Sequence, residues 1–188
     1  MKVTAIDVRP GAVLEEEGKL WLVSKIQINQ PGKGASVIQV EMKDIRSGTK
    51  RNVRYRTQET LETAEMRSHE MQYLYTDGDQ AHFMNQENYD QITIALEMIG
   101  EPARFLQDNM VCNVLFHEET PVTVELPKSV ILAIVEAEPV IKGQTATSSY
   151  KSASLENGVK IQVPPHITAG DRVVVKTEDG SYMERYKG

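Results

Sequence analysis

The sequence predicts an all-β protein made of three small modules. Short β-branched and aromatic runs recur, separated by turn residues roughly every eight to twelve positions. Asp77-Gly78, Asn157-Gly158 and Asp179-Gly180 each sit between two such runs, and these dipeptides tolerate the positive φ angles that tight hairpins need. The charge also changes abruptly along the chain. Residues 1–63 carry 11 Lys/Arg against 8 Asp/Glu, residues 64–127 carry 2 against 12 with no lysine, and residues 128–188 carry 8 against 7. Modules are therefore expected at 1–63, 64–127 and 128–188. A net charge of −6 thus hides two near-neutral or basic ends around an acidic centre, which fits either ends that meet polyanion with a centre kept away from it or three solvated surfaces of differing composition.

The elements follow in order. A strand is expected at residues 20–23, after a polar turn at Glu15, Glu16, Glu17 and Gly18. Residues 36–42 form the next, with Ile38, Val40 and Met42 alternating onto one face. Ser47-Gly48 then turns the chain into residues 52–56, where Val53 and Tyr55 alternate with basic side chains. Residues 92–99, ending at Gly100, are expected to be helical, with another helical turn at 103–106. Residues 111–116 and 122–126 make a further strand pair across His117, Glu118 and Glu119. Strands this short, with so little helix, indicate barrels or sandwiches rather than βαβ units.

Composition excludes several classes. Apolar residues at 40% and charged residues at 26% fit neither a disordered chain nor a membrane-spanning one. No run approaches the ~20 apolar residues of a spanning helix, and the first residues lack the apolar core of a secretion signal. A soluble intracellular protein is the expectation. Cys112, the single cysteine, rules out a disulfide within the chain and a multi-thiolate zinc site. Its apolar surroundings suggest an inert core thiol. His69, His82, His117 and His166 follow no metal-ligand spacing, and neither a nucleophile elbow nor a phosphate-binding loop occurs. The Glu15–Glu17 and Glu118-Glu119 clusters are expected to be solvated turns. No catalytic constellation is visible, so an enzyme is not expected.

One loop carries more. In residues 29–35, Pro31 stiffens the entry, Gly32 and Gly34 permit a tight tip, and Lys33 projects its ammonium into solvent. Alone, Pro-Gly-Lys-Gly also describes an ordinary hairpin with a solubilising lysine. Its context is more specific: Gly18-Lys-Leu-Trp-Leu-Val23, Pro31-Gly-Lys-Gly34, Arg46-Ser-Gly-Thr49, Tyr73-Leu-Tyr-Thr-Asp-Gly-Asp79, His82-Phe-Met-Asn85, Leu126-Pro127, Val140-Ile-Lys-Gly143 and Gly180-Ser-Tyr-Met-Glu-Arg185. In this order and spacing, over essentially the whole chain, the sequence resembles bacterial elongation factor P.

The resemblance implies an SH3-like N-terminal barrel followed by two OB-type barrels in an L-shaped, tRNA-like arrangement. It implies a factor that binds the ribosome beside the peptidyl-tRNA and relieves stalling at consecutive prolines. Lys33 matches the loop-tip residue that reaches toward the CCA end, supported by Pro31, Gly32 and Gly34. It would carry a β-lysyl-type modification installed by a lysyl-tRNA-synthetase-like enzyme, with no other cofactor. Tyr182 and Arg185 match residues placed near ribosomal RNA and the exit-site codon. Gly143, Thr145 and Thr147 fall in the matching third-module loop, where Gln144 and Thr147 depart from the usual Gly-Asp-Thr-Ala-Gly-Thr pattern. The alternatives are a generic OB-type RNA-binding protein and a paralogue acting through unmodified Lys33. No membrane partner is implied.

Overall fold

The computed structural model describes residues 1–140 and 149–188. The first segment begins with β1 (Lys2–Thr4), β2 (Val13–Glu16), β3 (Lys19–Asn29), β4 (Val37–Asp44), β5 (Lys50–Arg56) and β6 (Thr60–Glu62). Four of these make an antiparallel sheet in the order β2-β3-β4-β5, and β1 pairs with β6. Alternation works as expected on β4. Ile38, Val40 and Met42 are fully buried with Leu14, Trp21, Val23 and Tyr55 in one core, and each such side chain stabilises by about 1.5–3 kcal/mol. The β2–β3 turn is Glu17-Gly18, both at positive φ, as a two-residue hairpin requires. Glu15 and Glu16 lie in β2, so the polar turn is shorter than expected. Glu16 is no solvated turn residue, because its carboxylate is held from β5, as described below.

The central segment contains β7 (Arg67–Asp77), β8 (Gln80–Asn85), β9 (Gln91–Ala95), the one-turn α1 (Leu96–Ile99), β10 (Val111–His117) and β11 (Thr120–Glu125). They form a sheet in the order β11-β10-β7-β8-β9. The helix expected over 92–99 is thus mostly strand. Residues 91–95 pair antiparallel with β8, from Met84↔Gln91 to Gln80↔Ala95. Ile92, Thr93 and Ile94 are β-branched, and a free sheet edge outweighs a marginal helical pattern. Only the last four residues before Gly100 are helical, and a 3₁₀ segment follows at Glu101–Phe105.

The last segment comprises β12 (Ser129–Ala137), β13 (Lys151–Leu155), β14 (Lys160–Val163), β15 (Arg172–Lys176) and β16 (Tyr182–Arg185), in the order β14-β13-β12-β15-β16. In every large sheet one long strand carries a β-bulge: between Val23 and Lys25 in β3, Tyr73 and Tyr75 in β7, and Ile134 and Glu136 in β12. A bulge bends its strand and increases the local twist, and in β12 the two halves pair with different neighbours. β12 pairs with β15 through residues 129–133 and with β13 from Ile134 onward. This is how a short sheet curls toward a barrel.

The chain divides into two compact units, residues 1–100 with 113–125, and residues 101–112 with 126–188. Phe105, which precedes β10 in sequence, belongs to the second unit. It is fully buried among Val130, Leu132, Ile134, Val173 and Val175. Cys112 is buried as expected, and burial pushes its thiol up to about 12.

Candidate functional site

The β3–β4 hairpin is the longest in the molecule's first unit. Its strands pair from Trp21↔Asp44 to Asn29↔Val37, with one register shift between Val23 and Lys25, leaving residues 30–36 as the loop. Burial falls away along β3. Trp21, Leu22 and Val23 are buried, Ile26 is half-buried, and Gln27, Ile28 and Asn29 are exposed. The base is therefore anchored in a core while the far end projects.

Pro31, Gly32, Lys33 and Gly34 are brought together at that end, all exposed. Gly34 sits at φ +111°, a backbone conformation that side-chain-bearing residues rarely adopt, although a Cβ there would meet nothing closer than Pro31 Cγ at 3.9 Å. The requirement for glycine is thus conformational and not steric. Among the described residues no hydrogen bond or ion pair engages the Lys33 ammonium. The loop is tied at its base, where Thr57 N–H donates to the Ser36 carbonyl at 3.2 Å. β5 lies alongside, pairing Arg56 with Val37 and Arg54 with Gln39. Lys25, Lys33, Arg54 and Arg56 therefore give this hairpin and its neighbour an exposed cationic character.

Beneath the hairpin is a cluster that the sequence reading missed. The Arg51 guanidinium lies 3.9 Å from the Trp21 ring centroid, a cation–π stack. Its Nη2 donates to Glu16 Oε2 at 2.7 Å, and the Tyr55 hydroxyl donates to the same oxygen at 2.7 Å. Burial, and then the Glu16 carboxylate, push the Tyr55 phenol far up, so it remains a proton donor. This ties β2, β3 and β5 together at the foot of the Lys33 hairpin. Glu16 lies on β2 and Arg51 and Tyr55 on β5, the two outer strands in the order of this sheet, so no local spacing in the sequence signals their contact.

In the second unit, Tyr182 and Arg185 share the edge strand β16. Tyr182 is half-buried against the core and meets Tyr150 edge-to-face, with centroids 6.4 Å apart. Burial, followed by Tyr150 and Glu184, raises its phenol. Arg185 is exposed, 3.3 Å from Asp171 Oδ1. The Thr168 backbone N–H, opposed by desolvation and aided by Arg185, holds that carboxyl below its ordinary range. Gly143, Thr145 and Thr147 lie outside the described residues.

Three family models cover the chain: the elongation factor P KOW-like domain over residues 4–61, the elongation factor P OB domain over 66–124, and the elongation factor P C-terminal domain over 130–185. A protein named elongation factor P from Rhodospirillum centenum is 54% identical over 187 residues, covering 100% of both chains. Those of Agrobacterium fabrum, at 52% over 100% of this chain and 99% of that one, and Zymomonas mobilis, at 49% over 98% and 99%, carry the same name. Among solved structures, translation initiation factor 5A from Methanococcus jannaschii is 18% identical, with a TM-score of 0.39 over 68% of this chain and 92% of that one.

Fold and matches together define a translation factor, a protein that works with the ribosome rather than an enzyme. The chain belongs to the elongation factor P family. Among the described residues, no helix is long and apolar enough to cross a membrane.

Proposed function

We propose that this translation factor acts in the cytoplasm, binding the ribosome between the peptidyl-tRNA and exit sites and promoting peptide bond formation at consecutive prolines. The observation that carries this reading is the exposed Lys33, without a partner among the described residues, at the tip of a long hairpin anchored in a core, in a chain of this family. The N-terminal module, residues 1–63, presents Lys33 to the CCA end of the peptidyl-tRNA. A cation there neutralises backbone phosphate and restrains a terminus that proline leaves badly oriented. The ribosome performs the chemistry, and the factor supplies orientation.

Lys33 is the residue that a lysyl-tRNA-synthetase-like enzyme would modify. A β-lysyl group joined through an amide makes Nζ neutral and adds two amines beyond it, giving greater reach and one more positive charge. An exposed amine at a loop tip is accessible to such an enzyme. In the third module, residues 128–188, Tyr182 suits stacking on a base and Arg185 suits phosphate. With Gly143, Thr145 and Thr147 they are assigned to ribosomal RNA and the exit-site codon. The acidic central module, 64–127, is kept off the RNA by its own charge.

The test is translation through a Pro-Pro-Pro reporter in a purified system, comparing protein from its native host with Lys33→Ala. Intact mass would report any group on Lys33. Rescue by the native protein alone supports the reading. Equal rescue by a folded Lys33→Ala removes the tip mechanism. Ribosome binding and rescue absent from both leave a generic OB-type RNA-binding protein, whose binding would weaken with salt without special dependence on Lys33.

A further inference from the structure

Lys43 is a charged side chain buried among the described residues. It lies on β4, the strand that descends from the Lys33 loop, and its side chain is only 8% exposed. Its cross-strand partners are Leu22 on β3 and Lys50 on β5. The Lys43 ammonium donates to Glu97 Oε1 at 3.0 Å and to the Glu97 carbonyl at 3.3 Å. Glu97 is on α1 of the central segment, 54 residues away in sequence. This hydrogen bond, and then the lysine's charge, hold the Glu97 carboxyl below its ordinary range.

Leu22, the register neighbour of Lys43, is buried with Val13 and with Val122 of β11. Leu20, Ile45, Ala64, Met66 and Met98 pack against that cluster. Thr123 Oγ1 donates to the Met98 carbonyl at 2.8 Å, fixing α1 to β11. The N-terminal sheet is thus buried on two faces: one makes its own core, and the other packs on the central segment within the same compact unit. Apolar contact is non-directional and tolerates sliding. A buried ammonium with two acceptors in fixed directions does not, because moving either partner leaves a desolvated charge unpaired.

We propose that Lys43 and Glu97 are positioning residues that lock the Lys33 hairpin onto the central module, so that the two move as one arm and Lys33 is held at a set place. The inference rests on the reading of Lys33 given above. Leverage sets its importance. From Lys43 to Val37, at ~3.4 Å per residue, the clamp lies roughly 20 Å from the base of the loop. A rocking of about 5° at the clamp would move the loop base by on the order of 2 Å, and a misplacement of about 1 Å can cost on the order of a hundredfold in an orientation-limited reaction.

The test uses the full chain with spin labels on cysteines placed at Gln58 and Gln86, both exposed, while buried Cys112 stays unlabelled. Glu97 is 61% exposed, so Lys43→Met keeps the packed stem and leaves behind a carboxylate that water can solvate, and the fold is retained with little change in melting temperature. The label-to-label distance distribution is expected to broaden in Lys43→Met and partly in Glu97→Gln. In the Pro-Pro-Pro assay, Lys43→Met lowers the maximal rate by about tenfold with little change in the half-saturating concentration, the signature of lost orientation and not of lost binding. An unchanged distance distribution overturns the clamp whatever the reporter does. A broadened distribution with an unchanged maximal rate overturns the positioning role. Wild-type protein that fails the reporter defeats the translation reading, while the distances still decide the clamp.

Discussion

Gly180 faces Phe105 so closely that a Cβ at position 180 would stand 3.1 Å from Phe105 Cζ and 2.9 Å from Arg104 Nη2. Gly180 also has φ +78°, in the Asp179-Gly180 turn between β15 and β16. Arg104 donates to the Asp179 carbonyl at 3.3 Å, and Asn157 Nδ2 donates to the Arg104 carbonyl at 2.9 Å. A 3₁₀ segment that precedes β10 in the chain is thereby sealed onto the third sheet's turns.

Gly180→Ala is therefore expected to be destabilising twice over, by left-handed backbone strain of about 1–2 kcal/mol and by overpacking of about 1–3 kcal/mol. Phe105→Ala should cost about 3–5 kcal/mol by opening a cavity. Urea unfolding followed by circular dichroism would check both. A midpoint for either variant equal to that of the parent would contradict the packing described.

Lys33→Ala should leave stability within about 0.5 kcal/mol, because the side chain is exposed and has no partner among the described residues. Gly34→Ala should instead lose about 1 kcal/mol through the positive φ alone, since its surroundings are open. Thermal melts of the two variants side by side separate the chemical role of the tip from its backbone requirement.

Cys112 should resist thiol reagents at pH 8 in the folded protein. It is buried, and its thiol is pushed up to about 12, so thiolate is scarce. Reaction with a chromogenic disulfide is expected only on unfolding, at a rate that follows denaturant. Rapid labelling of native protein would contradict the assigned burial.

Three turn aspartates define an acid limb of stability. The Arg46 N–H holds Asp44 low, the Thr168 N–H holds Asp171 low, and the Ser181 hydroxyl and N–H hold Asp179 low. Their folded values lie below the unfolded ones, so this stability is fully present above about pH 4 and lost as pH falls through the folded values. Melting temperature should drop below pH 4 in the parent. It should drop less steeply in a variant with all three changed to Asn, which has no proton to take up. Parallel profiles would rule this out.

Arg51→Lys keeps a charge near Glu16 but gives up the planar stack on Trp21 and the fixed fork of donors, and should destabilise by about 1 kcal/mol. Chemical denaturation monitored at Trp21, the single tryptophan, is a direct readout.

Local chemistry was legible in the sequence. Period-two alternation located β4 and its buried Ile38, Val40 and Met42, and Asp-Gly or Asn-Gly pairs located the turns after β7, β13 and β15. Pro31, Gly32 and Gly34 marked the Lys33 tip because proline and glycine act on their own backbone. What only the tertiary structure decided depends on partners far along the chain. Residues 91–95 are strand because β8 offers an edge. Glu16 is a structural anion because Tyr55, 39 residues away, reaches it. Phe105 joins the third sheet's core, and Lys43 finds Glu97. A residue's own propensity cannot encode such pairings, because their free energy exists only once desolvated groups from distant segments meet.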